Sequence, residues 1–280
     1  MADRIDPRPI GVFDSGVGGL TVLSELRRRL PHESTVYLGD NGRAPYGPRP
    51  GDEVRRFTLE AVDWLLRQDV KLLVLACNTA TAQALGPVRD RSTVPVVGVV
   101  RPGAVAAAAA TRTAAVAVIA TAGTVESGAY PEAILEAAPG TQVTQLACPE
   151  LVPMVEAGVL AGRRAESVLR AYVEPLLGAG PRIDTLLLGC THYPLLRPVI
   201  EDIVGGGVAV VDSAFTTALA VEDLLDALSS RSDAGSQAQH RVATTGDLEA
   251  FVSVASRLFG DRLPDVEAVT IEPAGAIPLD

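Results

Sequence analysis

Short apolar runs alternate along this chain with longer stretches in which apolar residues recur every three or four positions. A continuous apolar run of about four to eight residues is typical of a buried strand, and the wider spacing is typical of an amphipathic helix. The helical spacing is clearest in residues 18–30 and 52–68. The predicted strands are residues 10–14, 35–40, 71–77, 95–100, 114–121, 141–148, 184–190 and 208–214.

Regular alternation of strands and helices predicts βαβ units and a mainly parallel sheet flanked by helices, an α/β fold. Ligands of such sheets bind beyond the carboxyl ends of the strands, so the polar residues there are the candidates for a site. A polar segment at 229–239 is expected to be a loop. After it, residues 240–273 predict one more small β-α-β unit.

The strand ends repeat along the chain at a nearly constant separation. The matched pairs are Asp14 with Thr121, Asp40 with Cys148, and Cys77 with Cys190. The third pair also matches in its surroundings, VLACNT against LLGCTH. Any α/β chain can yield coincident spacings, which is the alternative. The repeat predicts two halves with the same βαβ order.

Composition narrows the class of protein. With 280 residues and 48% hydrophobic content, the chain can build one large domain or two moderate ones. A net charge of -10 without a basic stripe argues against nucleic acid as the main partner. Three cysteines make no disulfide framework, and no apolar stretch is long enough to span a bilayer. We therefore expect a soluble, cytoplasmic protein without a membrane partner.

Two cysteines are the strongest candidates for chemistry. Cys77 and Cys190 each end an apolar strand and precede a predicted helix. Either could be a small apolar residue that closes a core strand. Alternatively, the positive end of a helix dipole lowers the pKa of the thiol from about 8.5 and favours the thiolate. If the matched halves face each other, the two thiols could take a proton from one face of a carbon and deliver one to the other, which is racemisation.

Other cysteine reactions fit the spacing less well. A Cys-dependent phosphatase needs Arg where this chain has Gln83 and Leu196. Neither CxxC nor HExxH occurs, so no metal site is predicted. Hydrolysis by a Cys–His pair stays open, although His192 lies only two positions after Cys190 and need not face it.

Racemases of amino acids often use pyridoxal phosphate, which bonds a lysine. The one lysine of this chain, Lys71, begins the strand that ends at Cys77, roughly 20 Å away at about 3.3 Å per residue. Any amino-acid chemistry here is therefore expected to need no cofactor.

A glycine-rich turn follows the first strand. The sequence GVGG after Asp14 and Ser15 lacks the third glycine of a dinucleotide loop, because Thr21 stands there. Its backbone N–H groups could still bind a carboxylate. Asp14 is either a turn residue or a carboxylate that orients a substrate ammonium or assists proton transfer.

Several segments together resemble the glutamate racemases, a cofactor-independent family that makes D-glutamate for bacterial peptidoglycan. The segments are IGVFDSGVGGLTV, RAPYG, LACNTAT, PGA at 102–104, ATAGTVESGAY, ACPELVPMVE, LGCTHYPLL and, near the end, ATTGD. The resemblance implies two pseudo-symmetric α/β domains, each a mainly parallel sheet flanked by helices, with the active site in the cleft between them. The first domain would hold residues 1–98 and 208–280, and the second 99–207.

The resemblance also implies roles for single residues. Cys77 would serve D-glutamate and Cys190 L-glutamate as the two acid/base thiols. Asp14 and His192 would assist them, and Glu156 would support His192. The substrate would be held by Asp14, Ser15, Tyr46, Gly47, Asn78, Thr79, Thr121, Thr124, Thr191 and His192.

Other positions carry smaller expectations. Cys148 is expected to be structural, and His32 and His240 to lie at the surface. At Asn41 and Gly42 the chain departs from the family, which more often has Thr-Ala there.

Two rival functions are an aspartate or hydantoin racemase of the same superfamily and an inactive α/β binding module. The motifs CNTAT and CTHYP favour glutamate, and the presence of both thiols argues against the binding module. The family further implies a homodimer, and some members bind and inhibit DNA gyrase. No feature of this acidic sequence argues for or against that partner.

Overall fold

Two parallel sheets, each flanked by helices, form the framework of the protein. The computed structural model describes residues 5–178, 182–233, 235, 237–260 and 265–271. In chain order the strands are β1 (Ile10–Asp14), β2 (Thr35–Gly39), β3 (Leu72–Leu75), β4 (Val96–Gly98), β5 (Ala115–Ala120), β6 (Gln142–Ala147), β7 (Thr185–Gly189), β8 (Ala209–Asp212), β9 (His240–Thr244) and β10 (Val266–Ala268).

The helices follow the strands in the alternation that the sequence predicts. They are α1 (Leu20–Arg29), α2 (Gly51–Leu66), α3 (Asn78–Arg91), α4 (Val100–Ala110), α5 (Ala122–Ser127), α6 (Ala129–Ala137), α7 (Leu151–Glu156), α8 (Gly162–Gly178), α9 (Arg197–Val204), α10 (Ser213–Ala227) and α11 (Leu248–Phe259). Two short 3₁₀ helices lie at Asn41–Arg43 and Tyr193–Leu196. The predicted α/β class is confirmed.

The internal repeat is visible in the order of the strands. One sheet has the order β10-β9-β2-β1-β3-β4, and the other has the order β6-β5-β7-β8. All neighbouring strands are parallel. Strands β2-β1-β3-β4 therefore correspond one to one with β6-β5-β7-β8, and the prediction of two matched halves is confirmed.

Strand β8 corrects the expected division of the chain. The resemblance placed residues from 208 onward with the first domain, but β8 pairs with β7, with Leu186 opposite Val210. The physical reason lies in the repeat, because β8 is the fourth strand of its half, as β4 is of the other. The chain returns to the first sheet only through α10 and β9.

The helices after the fourth strands are exchanged between the halves. Helix α4 follows β4 but packs against α6 and β7, whereas α10 follows β8 but packs against α1 and β4. Each half thus covers part of the other. The exchange fixes the two sheets against each other.

Burial explains the apolar runs in the sequence. Strands β1, β2, β3, β5 and β7 are buried at every residue, because helices cover both faces of each sheet. The edge strand β6 is only partly buried.

The remaining expectations concern the C-terminal part. The described residues of the 229–239 segment form no helix or strand, as predicted. The predicted β-α-β unit is present as β9, α11 and β10, although residues 272–273 lie outside the described part. Among all the residues that the structure describes, no helix is long and apolar enough to cross a membrane.

Candidate active site

A cleft of about 450 Å³ lies where the carboxyl ends of the two sheets meet. The loops after β1, β2 and β3 line one side, and the loops after β5, β6 and β7 line the other. Asp14 and Thr124 adjoin this cleft from buried positions. The other predicted site residues line it directly, namely Ser15, Tyr46, Gly47, Cys77, Asn78, Thr79, Thr121, Glu156, Cys190, Thr191 and His192.

Cys77 caps the N-terminus of α3. Its sulfur accepts a hydrogen bond from the backbone N–H of Ala80 at 3.4 Å and donates one to Ser15 Oγ at 3.4 Å. Burial and the nearby Asp14 carboxylate nevertheless raise the pKa of Cys77 to about 12. The expected lowering of this pKa by the helix is therefore wrong, because the loss of water around the sulfur outweighs the helix N–H groups.

Asp14 lies fully buried at the end of β1, beside Cys77. Its Oδ2 accepts a hydrogen bond from the backbone N–H of Gly16 at 2.9 Å. Its Oδ1 is buried and makes no hydrogen bond of ordinary geometry in the described part of the chain. Burial raises the pKa of Asp14, and the charge of His192 opposes that rise. The loop after β1 thus holds the carboxyl group close to one thiol.

Cys190 begins a chain of contacts on the opposite side. Its sulfur lies 3.8 Å from His192 Nδ1, and His192 Nε2 lies 3.0 Å from Glu156 Oε1. Burial lowers the pKa of His192, but the contacts with Cys190 and Glu156 outweigh it and raise the pKa to about 10. At neutral pH the imidazole is then protonated and can donate to both neighbours. The sequence could not establish this Cys–His contact.

Three hydroxyl groups meet across the two halves. Thr79 Oγ1 lies 2.8 Å from Thr121 Oγ1 and 3.3 Å from Thr124 Oγ1. The Oγ1 atoms of Thr121 and Thr124 are 3.0 Å apart. Hydroxyls can donate and accept, so this cluster can turn donors toward an anionic ligand in the cleft.

Asn78 offers an amide to the cleft from the first turn of α3. Its side-chain nitrogen Nδ2 is buried and has no hydrogen-bond partner among the described residues. Its Oδ1 accepts a hydrogen bond from the hydroxyl of Tyr130, at 2.5 Å, which comes from the other half. Tyr130 belongs to a segment that resembles the family, but no feature of that segment indicated this role.

The loop after β2 reaches across to the second half. The hydroxyl of Tyr46 donates to Asp40, while its side chain lines the cleft. Asp40 also accepts from Arg43 at 2.7 Å and Thr245 at 2.6 Å. The Gly47 carbonyl accepts from the backbone N–H of Gly123 at 2.8 Å. Sequence reasoning missed this support, because Thr245 is distant along the chain.

Lys71 lies outside the cleft. Its ammonium pairs with Glu33 at 2.6 Å and donates to the carbonyls of Asp6 and Ser230. These contacts leave it at the far end of its strand, where it cannot hold a cofactor in the cleft. In the described part of the chain, no three His, Cys, Asp or Glu side chains come together as metal ligands.

The minor expectations have mixed outcomes. Cys148 is fully buried beside the cleft, and burial raises its pKa to about 12. Its sulfur points to the carbonyl of Leu146 at 3.7 Å. His32 is exposed, as predicted, whereas His240 is half-buried and contacts Thr35 Oγ1 at 2.9 Å.

The arrangement joins two thiols, each with its own acid/base partner, around one cavity. Cys77 has Asp14 and Ser15 beside it, and Cys190 has His192. Both sulfur-bearing residues line the same cleft. Donors that suit a carboxylate lie between them. Such a site can move protons to and from a small anionic molecule.

Comparison with known proteins identifies similar chains. A family model described as Asp/Glu/Hydantoin racemase matches residues 18–222. The glutamate racemase of Oceanobacillus iheyensis is 48% identical over 254 residues, which cover 90% of this chain and 92% of that protein.

Solved structures agree with this similarity. A glutamate racemase isoform from Bacillus anthracis superimposes with a TM-score of 0.89 at 40% identity, covering 94% of this chain and 98% of that one. The glutamate racemase of Francisella tularensis, solved in complex with D-glutamate, has a TM-score of 0.88 at 31% identity, with coverage of 95% and 99%.

Proposed function

This chain belongs to the Asp/Glu/Hydantoin racemase family, and we propose that it interconverts L-glutamate and D-glutamate by a two-thiol mechanism without a cofactor. The observation that carries the proposal is the placement of Cys77 and Cys190 on opposite sides of one cleft. The resemblance of the sequence to glutamate racemases is confirmed by relatives that match almost the whole chain.

The reaction needs one base and one acid on opposite faces of the α-carbon. With L-glutamate, the Cys190 thiolate takes the α-proton, and the electron pair of the broken C–H bond stays on carbon. The Cys77 thiol then gives its proton to the other face and becomes a thiolate. The net change is inversion at carbon and transfer of one proton from Cys77 to Cys190. With D-glutamate the same steps run in reverse.

The raised pKa of Cys77 suits both of its roles. A thiol with a pKa of about 12 keeps its proton at neutral pH and is ready to donate it. Once deprotonated, it is a stronger base than an ordinary thiolate, as removal of a weakly acidic α-proton requires. Asp14 is the group that can take or return this proton, because burial raises its pKa as well.

On the other side, His192 and Glu156 serve Cys190. An imidazolium beside the sulfur stabilises negative charge there, and Glu156 holds the ring through Nε2. After each turnover the protons must redistribute before the same enantiomer can react again. We assign this redistribution to Asp14 beside Cys77 and to His192 beside Cys190.

The substrate is held by the groups between the thiols. The free Nδ2 of Asn78 and the hydroxyls of Thr79 and Thr121 are suited to its carboxylates. We assign the ammonium group to Asp14, whose buried carboxyl group immediately precedes Ser15 of the cleft lining. Hydrogen bonds to the α-carboxylate also stabilise the carbanion, because they oppose the charge that develops there.

The function is tested by following the optical activity of L-glutamate after purified protein is added. We expect the signal to decay to zero, and L-aspartate in parallel to keep its signal. Dialysis against EDTA and treatment with hydroxylamine, which removes pyridoxal phosphate, are expected to leave the rate unchanged. A stable signal with L-glutamate, or activity that returns only when a cofactor is added, would overturn the proposal.

The proposal extends to the setting of the enzyme. We expect a homodimer in the cytoplasm that supplies D-glutamate for peptidoglycan. Both thiols must be reduced to exchange protons, and a reducing compartment keeps them so. Sedimentation of the purified protein tests the dimer, and rescue of a D-glutamate auxotroph tests the supply role.

A further inference from the structure

The side-chain amide of Asn78 has a hydrogen-bond partner at its oxygen but none at its nitrogen among the described residues. The residue is 2% exposed, and its Nδ2 lacks a hydrogen-bond partner within the described part of the chain. A buried donor without a partner is costly, because it has given up its hydrogen bonds to water. A ligand in the cleft can supply the missing acceptor.

The usefulness of that donor depends on which way the amide is turned. The nitrogen and oxygen of an amide have nearly the same shape, so packing alone does not select one orientation. If the group rotated by half a turn, Oδ1 would face the cleft and repel a carboxylate. Selection must come from the neighbour on the far side of the amide.

That neighbour is Tyr130, which belongs to helix α6 of the opposite half. Its hydroxyl lies 2.5 Å from Asn78 Oδ1. Burial raises the pKa of Tyr130, so the phenol keeps its proton and is the donor in this contact with Asn78 Oδ1.

Tyr130 has little freedom to move. It is fully buried, and a Cβ at Gly189 would stand 2.9 Å from its ring, while one at Gly103 would stand 3.5 Å from its hydroxyl. The glycines make room for the ring in this one position. A fixed phenol can select one orientation of the amide.

We propose that Tyr130 is a positioning residue, which turns the Asn78 amide so that Nδ2 faces the substrate carboxylate. The inference rests on the proposed function and adds a residue that does not line the cleft. It also links substrate binding to the assembly of the two halves, because Asn78 and Tyr130 belong to helices of different halves.

A double-mutant cycle tests this role. Tyr130→Phe is expected to raise KM for both enantiomers, and Kd for D-glutamate, by roughly tenfold, with a smaller change in kcat. Asn78→Ala is expected to raise them at least as much. In the double variant, Tyr130→Phe should add less than about twofold, because there is no amide left to orient.

Controls separate positioning from general damage. Thr58→Val removes another fully buried hydroxyl, which donates to the Val54 carbonyl at 2.7 Å away from the cleft. It should lower thermal stability about as much as Tyr130→Phe and leave KM unchanged.

The outcomes are distinct. Additive losses in the cycle, or an unchanged KM in Tyr130→Phe, would overturn the role of Tyr130 while leaving the racemase intact. A wild-type protein that does not racemise glutamate would overturn the proposed function. In that case, coupling in the Kd for D-glutamate would still support the positioning role, and additive Kd changes would overturn it.

Discussion

Gly18, in the loop after β1, touches His192 of the opposite half so closely that no side chain fits between them. A Cβ at position 18 would stand 2.5 Å from His192 Nδ1 and 2.4 Å from Thr191 Oγ1. Similarly, a Cβ at Gly19 would stand 2.5 Å from Asp14 Cβ. Gly18 and Gly19 therefore leave room for His192 and Asp14 beside this loop. The sequence had indicated a different role for the GVGG motif, the binding of a carboxylate by its backbone N–H groups.

Gly18→Ala is therefore expected to displace His192 from Cys190. A misplacement of about 1 Å can cost roughly a hundredfold, and we expect kcat/KM to fall by about that factor. The matched control is Gly207→Ala, in the exposed turn before β8, where the added methyl meets none of the surrounding atoms within 4 Å. The control should keep full activity. Equal activity of both variants would contradict the account of Gly18.

The stability of the protein is expected to fall as pH rises toward 10. The pKa of His192 is raised from 6.5 to about 10 in the folded chain. Between these values the folded chain holds a proton that the unfolded chain has released, so the contribution is full below pH 6.5 and is lost toward pH 10. One such proton gives a slope of up to about -1.4 kcal/mol per pH unit.

Urea unfolding of wild type and His192→Asn at several pH values between about 6.5 and 9.5 measures this slope. The variant should show a flatter dependence than wild type. Parallel curves would mean that His192 has no raised pKa.

Cys148 is expected to be dispensable for catalysis although it borders the cleft. Its thiol points to a backbone carbonyl and has no acid/base partner comparable to Asp14 or His192 in the described structure. Cys148→Ala should destabilise the protein by about 1 kcal/mol and leave kcat/KM within about threefold of wild type. Glutamate should slow alkylation of the two other cysteines by iodoacetamide. A loss of activity by orders of magnitude in Cys148→Ala would contradict this.

Asp14→Asn and His192→Asn are expected to slow racemisation roughly ten- to a thousandfold. Each change removes the group that exchanges a proton with one thiol, so the pKa of that thiol no longer suits the reaction. The two enantiomers have equal free energies, so kcat/KM must stay equal in both directions. The asymmetry should appear in isotope effects. With α-deuterated substrate, Asp14→Asn should show the larger effect for D-glutamate, and His192→Asn for L-glutamate. Equal isotope effects would show that the two groups do not serve separate thiols.

Much of this architecture could be predicted because it depends on patterns of neighbouring residues in the sequence. Apolar runs that end in a polar residue mark the strands and the edge where the site forms, and the match of Cys77 with Cys190 indicated the repeat. The assignment of β8 to the first domain was wrong, because the pairing of a strand depends on the whole sheet and not on the local sequence.

Other features depend on the folded cavity. The predicted lowering of the Cys77 pKa was wrong, because burial raises this pKa by more than the helix lowers it. The sequence does not reveal how deeply the thiol is buried. Tyr130 was missed because its contact with Asn78 joins different halves of the chain. The contact of Thr245 with Asp40 is of the same kind.

The two thiols are expected to be individually essential and not interchangeable. Cys77→Ala and Cys190→Ala should each abolish racemisation, since each loss leaves one face without its acid or base. N-hydroxyglutamate can eliminate water after a single deprotonation, so it tests each thiol alone. Cys190→Ser should process chiefly the D form, and Cys77→Ser the L form. Racemisation near the wild-type rate in either alanine variant would mean that the repeat is only architectural.

The most direct test of the two-thiol mechanism follows hydrogen at the α-carbon. Wild-type protein acts on L-glutamate in D₂O, and the earliest D-glutamate and the remaining L-glutamate are analysed separately by mass. If one thiol takes the proton and the other supplies deuterium from solvent, the D product carries deuterium from the first turnovers while the L substrate does not. Product that retains the original hydrogen, or substrate labelled as fast as product, would show that a single group acts on both faces.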